Sequence, residues 1–585
     1  MGGIVVRDHH GILSTVEMLQ HSAKRYGEKT ALRIYRNGRY EELSYGEFAD
    51  RVDRFAAGLG RLGIAPKDHV SLLGENRPEW AIAYLAVQRA GATCVPLDSL
   101  LKSTEFRHII VDAEVHAVVV SGRFLSDILE VRDSLPPDHP LMVICMDDEK
   151  RDDVLLMSEA MRGPLPERWP QVTLDGLAAI IYTSGTTGQS KGVMLSQRNL
   201  ATDTAFSYQV IVYGPEDNFL SVLPLHHTFE CTGGFLVPVY GGATITYARS
   251  LKSRDIIDDV RNTKATLMLG VPLLFEKMMQ GIQRKLQQAP ASKRAIIKTL
   301  FAVEKAGRAV RLDLSRALFK SLREKAGLNS LRMLIAGGAA LPPHVAEWFG
   351  SLGFQLFQGY GLTETSPVTN VNRPGMVVHS SVGPAIPGAE IRVANPGPEG
   401  HGEICIRGPM VMMGYYKNER ATKETIDEDG WLHTGDVGYL DEKGLLYISG
   451  RMKNVIVTTA GKNVYPEEVE FYIDQSPYVL ESLVIGRPLP NTTSEEVYAT
   501  VVPNYEHFDE LAEQTDHRYT TEEIEEIVRR EVAQAISQIA EYKRPKKFDI
   551  REEEFEKTST KKIKRFLYKQ KGITVPEAGA RAAKT

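Results

Sequence analysis

Residues 177–192 read LAAIIYTSGTTGQSKG, an apolar strand that runs directly into a loop of glycine, serine and threonine and ends on one lysine. Such a loop brings backbone N–H groups and hydroxyls close to phosphate oxygens. It is not a Walker-type P-loop, because Ser190 stands where that motif has its second glycine, and Gly192 rather than serine or threonine follows Lys191. A flexible connector would not need this row of hydroxyls. The stretch therefore predicts phosphate binding and disfavours a P-loop NTPase.

The overall composition limits the class of protein. A chain of 585 residues is too long for one compact core, because single cores stop growing at roughly 250–300 residues. With 43% hydrophobic residues, 25% charged residues and a net charge of -5, it matches an ordinary globular protein and lacks the basic field of a nucleic-acid binder. The cysteines are scattered singly, which predicts buried free thiols: Cys94, Cys145, Cys231 and Cys405.

The chain has no segment typical of secretion or of a membrane span. The N-terminus, MGGIVVRDHHGILS, lacks the basic start and long apolar core of a signal peptide. No run approaches the ~18 to 20 uninterrupted apolar residues that a membrane helix needs. We therefore expect a cytoplasmic protein, with peripheral attachment at the inner face of the membrane as an open alternative.

Helical and strand-like patterns alternate through the first part of the chain. Ser44 and Glu47 form a capping box ahead of an apolar series at helical spacing. The segments HVSLLG, TCVPL and AVVVS predict short buried strands, and helical stretches separate them. This alternation is typical of a mainly parallel sheet that helices cover on both faces.

The pattern changes to a smaller α+β unit after about Arg451. Pro466 starts a short helix, EVYATVVP predicts a strand, and Thr520 with Glu523 caps a further helix. The end of the chain is rich in alanine, glycine and lysine, which is typical of disorder. The predicted parts are an N-terminal domain (1–450), a C-terminal domain (451–570) and a disordered tail (571–585).

A basic helical insertion interrupts the alternation at residues 277–330. Between residues 284 and 325, twelve lysines and arginines stand against three acidic residues, a local charge of +9. Packing on the domain is the favoured interpretation, and contact of residues 284–325 with an anionic membrane surface is the alternative. One apolar face is predicted for this insertion from Ile297, Leu300, Phe301, Leu318, Phe319 and Leu322.

Seven further segments follow the phosphate loop in order. They are LPLHHTFE (223–230), AGGAAL (336–341), QGYGLTE (358–364), GEICIRGP (402–409), WLHTGDVG (431–438), GRMKNVI (450–456) and KTSTKKIKR (557–565). Together with the loop, they resemble the motifs of the AMP-forming acyl-CoA synthetases of the adenylate-forming superfamily. The insertion and LPLHHTFE are most similar to those of long-chain fatty acid–CoA ligases.

The resemblance implies a fold and a reaction. The fold is α/β, with a large N-terminal domain of helix-covered, mainly parallel sheets that includes a small β-barrel-like part, and a smaller, mobile α+β C-terminal domain. In the reaction, a carboxylate attacks the α-phosphorus of ATP to give acyl-adenylate and pyrophosphate, and coenzyme A then displaces AMP. Because carboxylate and ATP are both anions, the site must neutralise charge and hold the reactants in line.

The same resemblance assigns the nucleotide site. Tyr360 is implied to stack on adenine, Asp436 to accept hydrogen bonds from the ribose hydroxyls, and Thr186 with Glu364 to hold Mg2+. The implied ATP-binding residues are Thr183, Ser184, Gly185, Thr186, Thr187, Gly188, Lys191, Gly337, Gly338, Ala339, Gln358, Gly359, Tyr360, Gly361, Thr363, Asp436, Arg451 and Lys562.

The remaining implied residues handle the acid, the thiol and the change between half-reactions. His227 would orient the carboxylate, Lys453 would be the hinge of the C-terminal domain, and Gly461 with Lys462 would line the coenzyme A tunnel. The implied acyl pocket consists of His227, Cys231, Gly233, Gly234, Val271 and Pro272.

The segment KTSTKKIKR decides which lysine is catalytic. The family ending is Pro-Lys-Thr-x-x-Gly-Lys-Ile-x-Arg, and Lys562, Ile563 and Arg565 match its last group. Lys561 stands at the usual glycine position, which is a departure from the family. This register selects Lys562, beside Glu364, Thr186 and His227, as an implied catalytic residue.

Two alternatives remain open. An enzyme of the same kind can pass the acyl group to the phosphopantetheine of a carrier protein instead of free coenzyme A. A non-catalytic acyl- or nucleotide-binding protein is disfavoured, because Glu364 and Lys562 are both retained. The expected partners are a fatty acid, ATP and coenzyme A, and the sequence leaves chain length, direction and oligomeric state undetermined, with a homodimer among the options.

Overall fold

The computed structural model describes residues 11–148, 151–183, 190–310, 312–398, 400–458, 462–489, 495–558 and 562–569. The chain divides into two compact units. The large unit comprises Met1–Arg392, Cys405–Thr434 and Leu440–Tyr447, and the small unit comprises Val393–Ile404, Gly435–Tyr439 and Ile448–Thr585. The predicted tail at 571–585 lies outside the described residues.

The helices begin and end at the following residues. They are α1 (Thr15–Tyr26), α2 (Tyr45–Arg61), α3 (Pro78–Arg89), α4 (Ser103–Asp112), α5 (Leu125–Asp133), α6 (Met157–Ala160), α7 (Gln197–Val210), α8 (Val237–Gly241), α9 (Ser253–Thr263), α10 (Pro272–Gln287), α11 (Ala291–Ala309), α12 (Ser315–Leu318), α13 (Lys320–Ala326), α14 (Pro343–Ser351), α15 (Glu419–Thr425), α16 (Pro466–Ile473), α17 (Tyr505–Thr515), α18 (Thr521–Ile536) and α19 (Phe566–Lys569).

The strands are mostly short. They are β1 (Thr30–Arg36), β2 (Arg39–Ser44), β3 (His69–Leu73), β4 (Thr93–Pro96), β5 (Val115–Val120), β6 (Met142–Cys145), β7 (Leu155–Leu156), β8 (Leu177–Thr183), β9 (Lys191–Ser196), β10 (Asn218–Ser221), β11 (Thr244–Tyr247), β12 (Leu267–Gly270), β13 (Met333–Ala336), β14 (Gln355–Gly361), β15 (Val368–Val371), β16 (Glu390–Ala394), β17 (Gly402–Arg407), β18 (Gly414–Tyr415), β19 (Leu432–Leu440), β20 (Leu446–Arg451), β21 (Ile456–Val457), β22 (Asn463–Val464), β23 (Val479–Pro488), β24 (Glu495–Pro503) and β25 (Lys547–Ile550).

The predicted capping boxes start the helices where the sequence places them. Ser44 accepts a hydrogen bond from the backbone of Glu47 at the start of α2, and the Glu47 carboxylate accepts one from the backbone of Ser44. Thr520 and Glu523 form the same reciprocal pair ahead of α18. Each pair satisfies N–H groups that the first turn of a helix leaves free. The predicted helix starts are confirmed at both places.

Two eight-stranded sheets form the large unit. The first has the order β15-β14-β13-β12-β10-β11-β1-β2 and is parallel from β14 to β1, with antiparallel strands at both edges. The second has the order β18-β9-β8-β4-β3-β5-β6-β7 and is parallel from β8 to β7. The prediction of mainly parallel, helix-covered sheets is confirmed.

The core of the large unit is aromatic where helices meet the sheets. Trp80 and Tyr84 lie on α3, are fully buried, and stack with ring centroids 5.2 Å apart. Tyr84 also meets Phe235 edge to face, with centroids at 6.1 Å. Such buried ring pairs add to the free energy gained from burial alone. All four cysteines are buried free thiols, as the sequence predicts.

The small β-barrel-like part is not a closed barrel. Strands β16-β17-β19-β20 form an open four-stranded sheet, with β16 and β20 at its edges. A barrel requires the two edge strands to bond to each other, and four short strands are too few to curve that far. The expectation of a barrel-like part is therefore corrected to an open sheet.

The basic insertion folds into four helical segments, α10 to α13, with no strand between them in the residues described. Its predicted apolar face packs inward. Phe319 is fully buried in a core cluster, and Leu300, Phe301, Leu318 and Leu322 lie partly buried against it. The interpretation of this face as a packed one is confirmed for these five residues, while Ile297 is half-buried and is not part of the cluster. Within the described part of the chain, no helix is long and apolar enough to span a bilayer.

The small unit is built on β23, β24 and β25. Strands β23 and β24 are antiparallel, while β24 and β25 are parallel. Helices α16 and α18 cover the sheet, and Val469, Val528 and Val532 are fully buried in the cluster between them. The α+β character predicted for this part of the chain is confirmed.

Candidate active site

The site residues of the large unit gather at the carboxyl ends of strands. The segments after β10, β12, β13 and β14 share one edge of the first sheet, and those after β4 and β8 share one edge of the second. Ligands of open parallel sheets bind at such edges. The chain order therefore brings the predicted phosphate, nucleoside and acyl residues to two sheet edges.

The predicted phosphate loop connects two paired strands. Thr183 ends β8, Lys191 begins β9, and the antiparallel register places the two opposite each other. The ends of the loop are thus fixed by a hydrogen-bonded ladder. Ser184, Gly185, Thr186, Thr187 and Gly188 lie outside the described residues, so their roles stay predictions.

Tyr415 connects the end of this loop to the predicted metal ligand. The ammonium nitrogen of Lys191 lies 4.8 Å from the centroid of the Tyr415 ring, a cation–π contact. The Tyr415 hydroxyl donates a hydrogen bond of 2.9 Å to Oε1 of Glu364. Tyr415 lies on β18, which pairs with β9, and it is 7% exposed. Sequence reasoning missed this residue, because nothing in GYYKN distinguishes Tyr415 from Tyr416.

Glu364 lies in a single 3-10 turn, Thr363–Thr365, directly after β14. Its backbone carbonyl accepts a hydrogen bond of 2.8 Å from the amide of Met412, and the residue is half-buried. A carboxylate fixed by a tyrosine hydroxyl offers the hard oxygen ligand that Mg2+ prefers. The geometry at Glu364 therefore fits the predicted metal, while Thr186, the second predicted ligand, lies outside the described residues.

Small residues surround the predicted adenine site for steric reasons. A side chain at Gly361 would collide with the carbonyl oxygen of Pro367, the residue before β15. A Cβ at Gly337 would lie 2.8 Å from the ring of Phe229, and Gly338 has a φ of +82°. Tyr360 pairs with Asn370 across β14 and β15. The remaining predicted residues of this region, Ala339, Gln358 and Gly359, lie on the same two segments.

The histidine pair joins the two sheet edges. His226 is buried, and its Nε2 lies 3.2 Å from Oδ1 of Asp98, which follows β4. The rings of His226 and His227 are 4.3 Å apart, and His227 is only half-buried. Asp98, His226 and His227 each place one potential metal-ligand atom within 4.8 Å of the others. The geometry fits the choice of His227 as the residue available to substrate.

The predicted acyl residues lie on a π-helix, Phe229–Leu236, and at the start of α10. A Cβ at Gly233 would lie 2.8 Å from a methyl group of Leu269, and one at Gly234 would collide with the carboxylate of Glu230. These glycines therefore make room for neighbouring side chains. Burial raises the pKa of the Cys231 thiol to about 12, so this group stays protonated. The pocket formed by Cys231, Gly233, Gly234, Val271 and Pro272 stays a prediction.

Glu230 is a buried carboxyl group that sequence reasoning did not single out. It is fully buried, and burial raises its pKa to about 8. The Ser221 hydroxyl and the Leu223 amide lie nearby, but neither carboxyl oxygen has a partner with hydrogen-bonding geometry among the described residues. Burial therefore favours the neutral form of Glu230.

The residues predicted to bind the ribose and the predicted catalytic lysine lie in the small unit. Nε of Arg451 lies 2.6 Å from Oδ1 of Asp436, and Asp436 is buried. The pKa of Lys562 is lowered, first because its ammonium group loses contact with solvent and second because the Arg451 guanidinium lies nearby. The Asp436 carboxylate opposes this shift. Lys562 as a whole residue is nevertheless exposed. The structure thus brings Asp436, Arg451 and Lys562 together within one unit.

The segment that carries Lys562 is anchored on both sides. Lys557 forms an ion pair of 2.8 Å with Glu481, and Arg565 pairs with Glu470. The amide of Thr558 donates to the carbonyl of Lys562 at 2.8 Å, which holds these two residues of the motif together. These ion pairs bind Lys557 and Arg565 to carboxylates of the small unit. Lys561 lies outside the described residues.

The predicted hinge and thiol residues have distinct surroundings. Lys453 lies in a 3-10 turn, Met452–Asn454, directly after β20. The amide of Lys462 donates to the hydroxyl of Thr458 at 3.2 Å. Gly461 lies outside the described residues, so its role in the coenzyme A tunnel stays a prediction.

Replacement of Glu230 should change how stability depends on pH. The pKa of Glu230 in the folded state, about 8, lies above its ordinary value of 4.5, so its stabilising contribution is complete below pH 4.5 and is lost as the pH rises through 8. Between pH 5.5 and 7.5 the group should lower the free energy of unfolding by about 3 kcal/mol. When the free energy of unfolding is measured by urea denaturation at each pH, Glu230→Gln should not show this decline, and the exposed control Glu442→Gln should show it. If the free energy of unfolding of Glu230→Gln depends on pH as it does in the wild type, the raised pKa of Glu230 is contradicted.

Comparison with known proteins identifies the family. The family described as "AMP-binding enzyme" matches residues 19–416, and "AMP-binding enzyme C-terminal domain" matches residues 468–562. The "3-[(3aS,4S,7aS)-7a-methyl-1,5-dioxo-octahydro-1H-inden-4-yl]propanoyl:CoA ligase" of Rhodococcus jostii (strain RHA1) is 32% identical over 81% of this chain and 86% of its own length. Human "Long-chain-fatty-acid--CoA ligase ACSBG1" is 30% identical over 80% of this chain and 68% of its own length.

Solved structures share the whole architecture. ATP-bound MatB from Rhodopseudomonas palustris aligns with a TM-score of 0.75 at 26% identity, covering 95% of this chain and 99% of that one. An anthranilate CoA ligase, AuaEII, in complex with anthranoyl-AMP has a TM-score of 0.76 at 22% identity, which bears on the fold alone. The family match, the identity to these relatives and the motifs at the two sheet edges agree. They show that this chain belongs to the family of AMP-binding enzymes.

Proposed function

We propose that the protein is an AMP-forming long-chain fatty acid–CoA ligase. It activates a fatty acid with ATP to give acyl-adenylate and pyrophosphate, and it then forms the coenzyme A thioester with release of AMP. The observation that carries the proposal is the Lys191–Tyr415–Glu364 cluster at the end of the phosphate loop, which offers a cation for phosphate and a carboxylate for Mg2+. The substrate class is supported by relatives whose names give a long-chain fatty acid as substrate.

The large unit would hold the triphosphate and the acid. Lys191 and the loop glycines and hydroxyls would bind the leaving pyrophosphate, and Glu364 with Thr186 would hold Mg2+, which neutralises phosphate charge when bound. Thr363 would contact the α-phosphate. His227, next to the contact between Asp98 and the buried His226, would orient the carboxylate so that its oxygen attacks phosphorus in line.

The small unit would supply the groups that differ between the two half-reactions. Asp436 and Arg451, which pair with each other, would bind the ribose, and Lys562 would stabilise charge on the α-phosphate as the bond to pyrophosphate breaks. Rotation about Lys453 would then replace Lys562 with the coenzyme A segment at Gly461 and Lys462. The thiol displaces AMP from the acyl carbon and gives up its proton.

A carrier protein as acceptor is the second candidate. The surplus of positive charge over residues 284–325 would suit an acidic partner as well as a membrane. The names of the relatives favour free coenzyme A. A non-catalytic binding protein would not need the retained Glu364 and Lys562.

We also propose that the enzyme works in the cytoplasm and makes peripheral contact with the inner face of the membrane through residues 284–325. The support for this contact is the local charge of +9 in a chain whose net charge is -5. A homodimer is the oligomeric state that we propose to test first, by light scattering of the full chain.

Loss of the Tyr415 hydroxyl should impair the use of Mg–ATP. Tyr415→Phe keeps the ring on Lys191 but frees the Glu364 carboxylate, so kcat/KM for ATP should fall roughly tenfold to a hundredfold, the value of a hydrogen bond to a charged group. Tyr416→Phe is the matched control, because that hydroxyl bonds to Glu114 at 3.0 Å. Equal effects of the two substitutions would refute the role of Tyr415.

Loss of the Lys562 ammonium should separate the half-reactions. Lys562→Ala should slow adenylate formation roughly a hundredfold to a thousandfold, the range for removal of one transition-state donor. Thiolation of supplied acyl-adenylate should stay close to wild type. Lys561→Ala and Lys564→Ala are the controls, and they should slow adenylate formation much less than Lys562→Ala does. A larger effect for Lys561→Ala would mean that the register is wrong by one residue.

Substrate and acceptor can be measured together. Pyrophosphate release should be screened with saturated acids from acetate upward to long-chain acids, with coenzyme A, with a phosphopantetheinylated carrier protein, and with neither. We expect release to rise with chain length and a thioester to form with coenzyme A. If none of the acids gives pyrophosphate release, the enzymatic proposal is refuted. If a thioester forms only with the carrier protein, the second candidate is favoured.

A further inference from the structure

The segment that carries the histidine pair has no regular secondary structure. Residues 222–227 follow β10 and precede the π-helix, and none of them belongs to a helix or a strand. The backbone groups of such a segment have no ladder to bond to and need partners from elsewhere. We name residues 222–227 the histidine segment. The groups that supply these partners help to fix the position of His227.

The side chain of Asn76 supplies two of the partners. Its amide nitrogen donates to the carbonyl of Leu223 at 2.6 Å, and its amide oxygen accepts from the backbone N–H of Leu225 at 3.0 Å. The same nitrogen also donates to Oγ of Ser221 at 3.0 Å. Because a backbone carbonyl can only accept and a backbone N–H can only donate, these contacts determine which end of the amide is nitrogen. Both donors and the acceptor oxygen of the amide are therefore used on one short stretch of chain.

These hydrogen bonds extend to His227 through Pro224. Asn76 bonds to the residue on each side of Pro224, and the carbonyl of Pro224 accepts a hydrogen bond of 3.1 Å from the amide of His227. The side chain of Leu225 is buried, which anchors the segment further. Asn76 thus holds the backbone around the residue to which the His227 amide bonds.

Asn76 itself lies on a firm support, the turn between β3 and α3. The next residue, Arg77, is buried and forms two hydrogen bonds with the carboxylate of Asp147, at 2.9 and 2.6 Å, and an ion pair of 2.8 Å with Glu79. A bidentate pair of this kind fixes geometry as well as adding energy. Pro78 then begins α3 with a restricted φ. A turn on the second sheet therefore supports a segment that follows a strand of the first sheet.

We propose that Asn76 is a positioning residue for activation of the acid, and that it holds the histidine segment so that the ring of His227 faces the carboxylate. The inference rests on the role of His227 in the proposed function. It adds a residue from GENRPEW (74–80), outside the segments that resemble family motifs. Asp98 contacts the ring of His226, whereas Asn76 bonds to the backbone, so the two contacts are separate.

Loss of the Asn76 amide should slow adenylate formation more than it weakens ATP binding. Asn76→Ala removes three hydrogen bonds, and a shift of about 1 Å in a reacting group can cost on the order of a hundredfold in rate. We expect kcat for acid-dependent pyrophosphate release to fall about tenfold to a hundredfold. KM for ATP should stay within about twofold, because Lys191 and Glu364 lie on other elements.

Two further variants control for a general loss of structure. Asn218→Ala is the matched control, because this buried amide bonds to Thr263 and Thr246 at the other end of β10, and its kcat should stay close to that of the wild type. Asn76→Asp keeps an acceptor for the Leu225 amide but cannot donate to the Leu223 carbonyl, so it should lose most of the activity that Asn76→Ala loses. Equal losses in Asn76→Ala and Asn218→Ala would overturn the proposal.

A double-mutant cycle tests whether Asn76 acts through His227. In a His227→Ala background, Asn76→Ala should slow adenylate formation by less than about threefold, because the ring that it positions is already absent. If the two losses multiply in full, Asn76 acts independently of His227 and the proposal is wrong.

Histidine NMR gives a readout that does not depend on activity. In the full chain with carbon-13 in its histidine rings, the signal of His227 can be identified by its absence in His227→Ala. This signal should move in Asn76→Ala and Asn76→Asp and stay in place in Asn218→Ala, and an unchanged position in the Asn76 variants would overturn the positioning role. If the wild type releases pyrophosphate with no acid, the proposed function fails, while the NMR result still decides whether Asn76 positions His227.

Discussion

The ring of Tyr415 separates and orders the two charges at the centre of the site. Lys191 lies against its face, and Glu364 accepts a hydrogen bond from its hydroxyl. Lys191 follows the phosphate loop on the second sheet, while Glu364 follows β14 on the first, so one side chain fixes the spacing of the two sheet edges where phosphate and metal would bind. A cation and a carboxylate in direct contact would satisfy each other. With a tyrosine between them, the cation can still face phosphate and the carboxylate can still face a metal ion.

The other charged residues of the candidate site are also held by contacts within the protein. Asp98 contacts the buried His226, and the half-buried His227 beside them is the histidine that we propose faces the substrate. In the small unit, Lys557 and Arg565 are bound to carboxylates, and Lys562 lies between these anchors with a lowered pKa. Arg451 and Asp436, which are proposed to bind the ribose, are likewise paired with each other. Preorganised groups of this kind stabilise developing charge without rearrangement.

Local patterns in the sequence were enough for much of the fold. The capping boxes at Ser44 and Thr520 depend on residues three apart, so the helix starts could be predicted, and the motif order supplied the residues that are proposed for the site. Tyr415 could not be predicted, because its role arises from contacts with Lys191 and Glu364, which are distant in the chain. The open sheet in place of a barrel reflects hydrogen bonding between strands, which no local pattern encodes.

The central claim is that the acid is activated as an acyl-adenylate on this site. It is tested most directly by supplying a fatty acid with both carboxylate oxygens labelled with oxygen-18, together with ATP, Mg2+ and coenzyme A, and by mass analysis of the products. Attack of the carboxylate on the α-phosphorus predicts one labelled oxygen in AMP and none in pyrophosphate. Label in pyrophosphate or inorganic phosphate, with unlabelled AMP, would contradict the account, because the acid would then have attacked a different phosphorus atom.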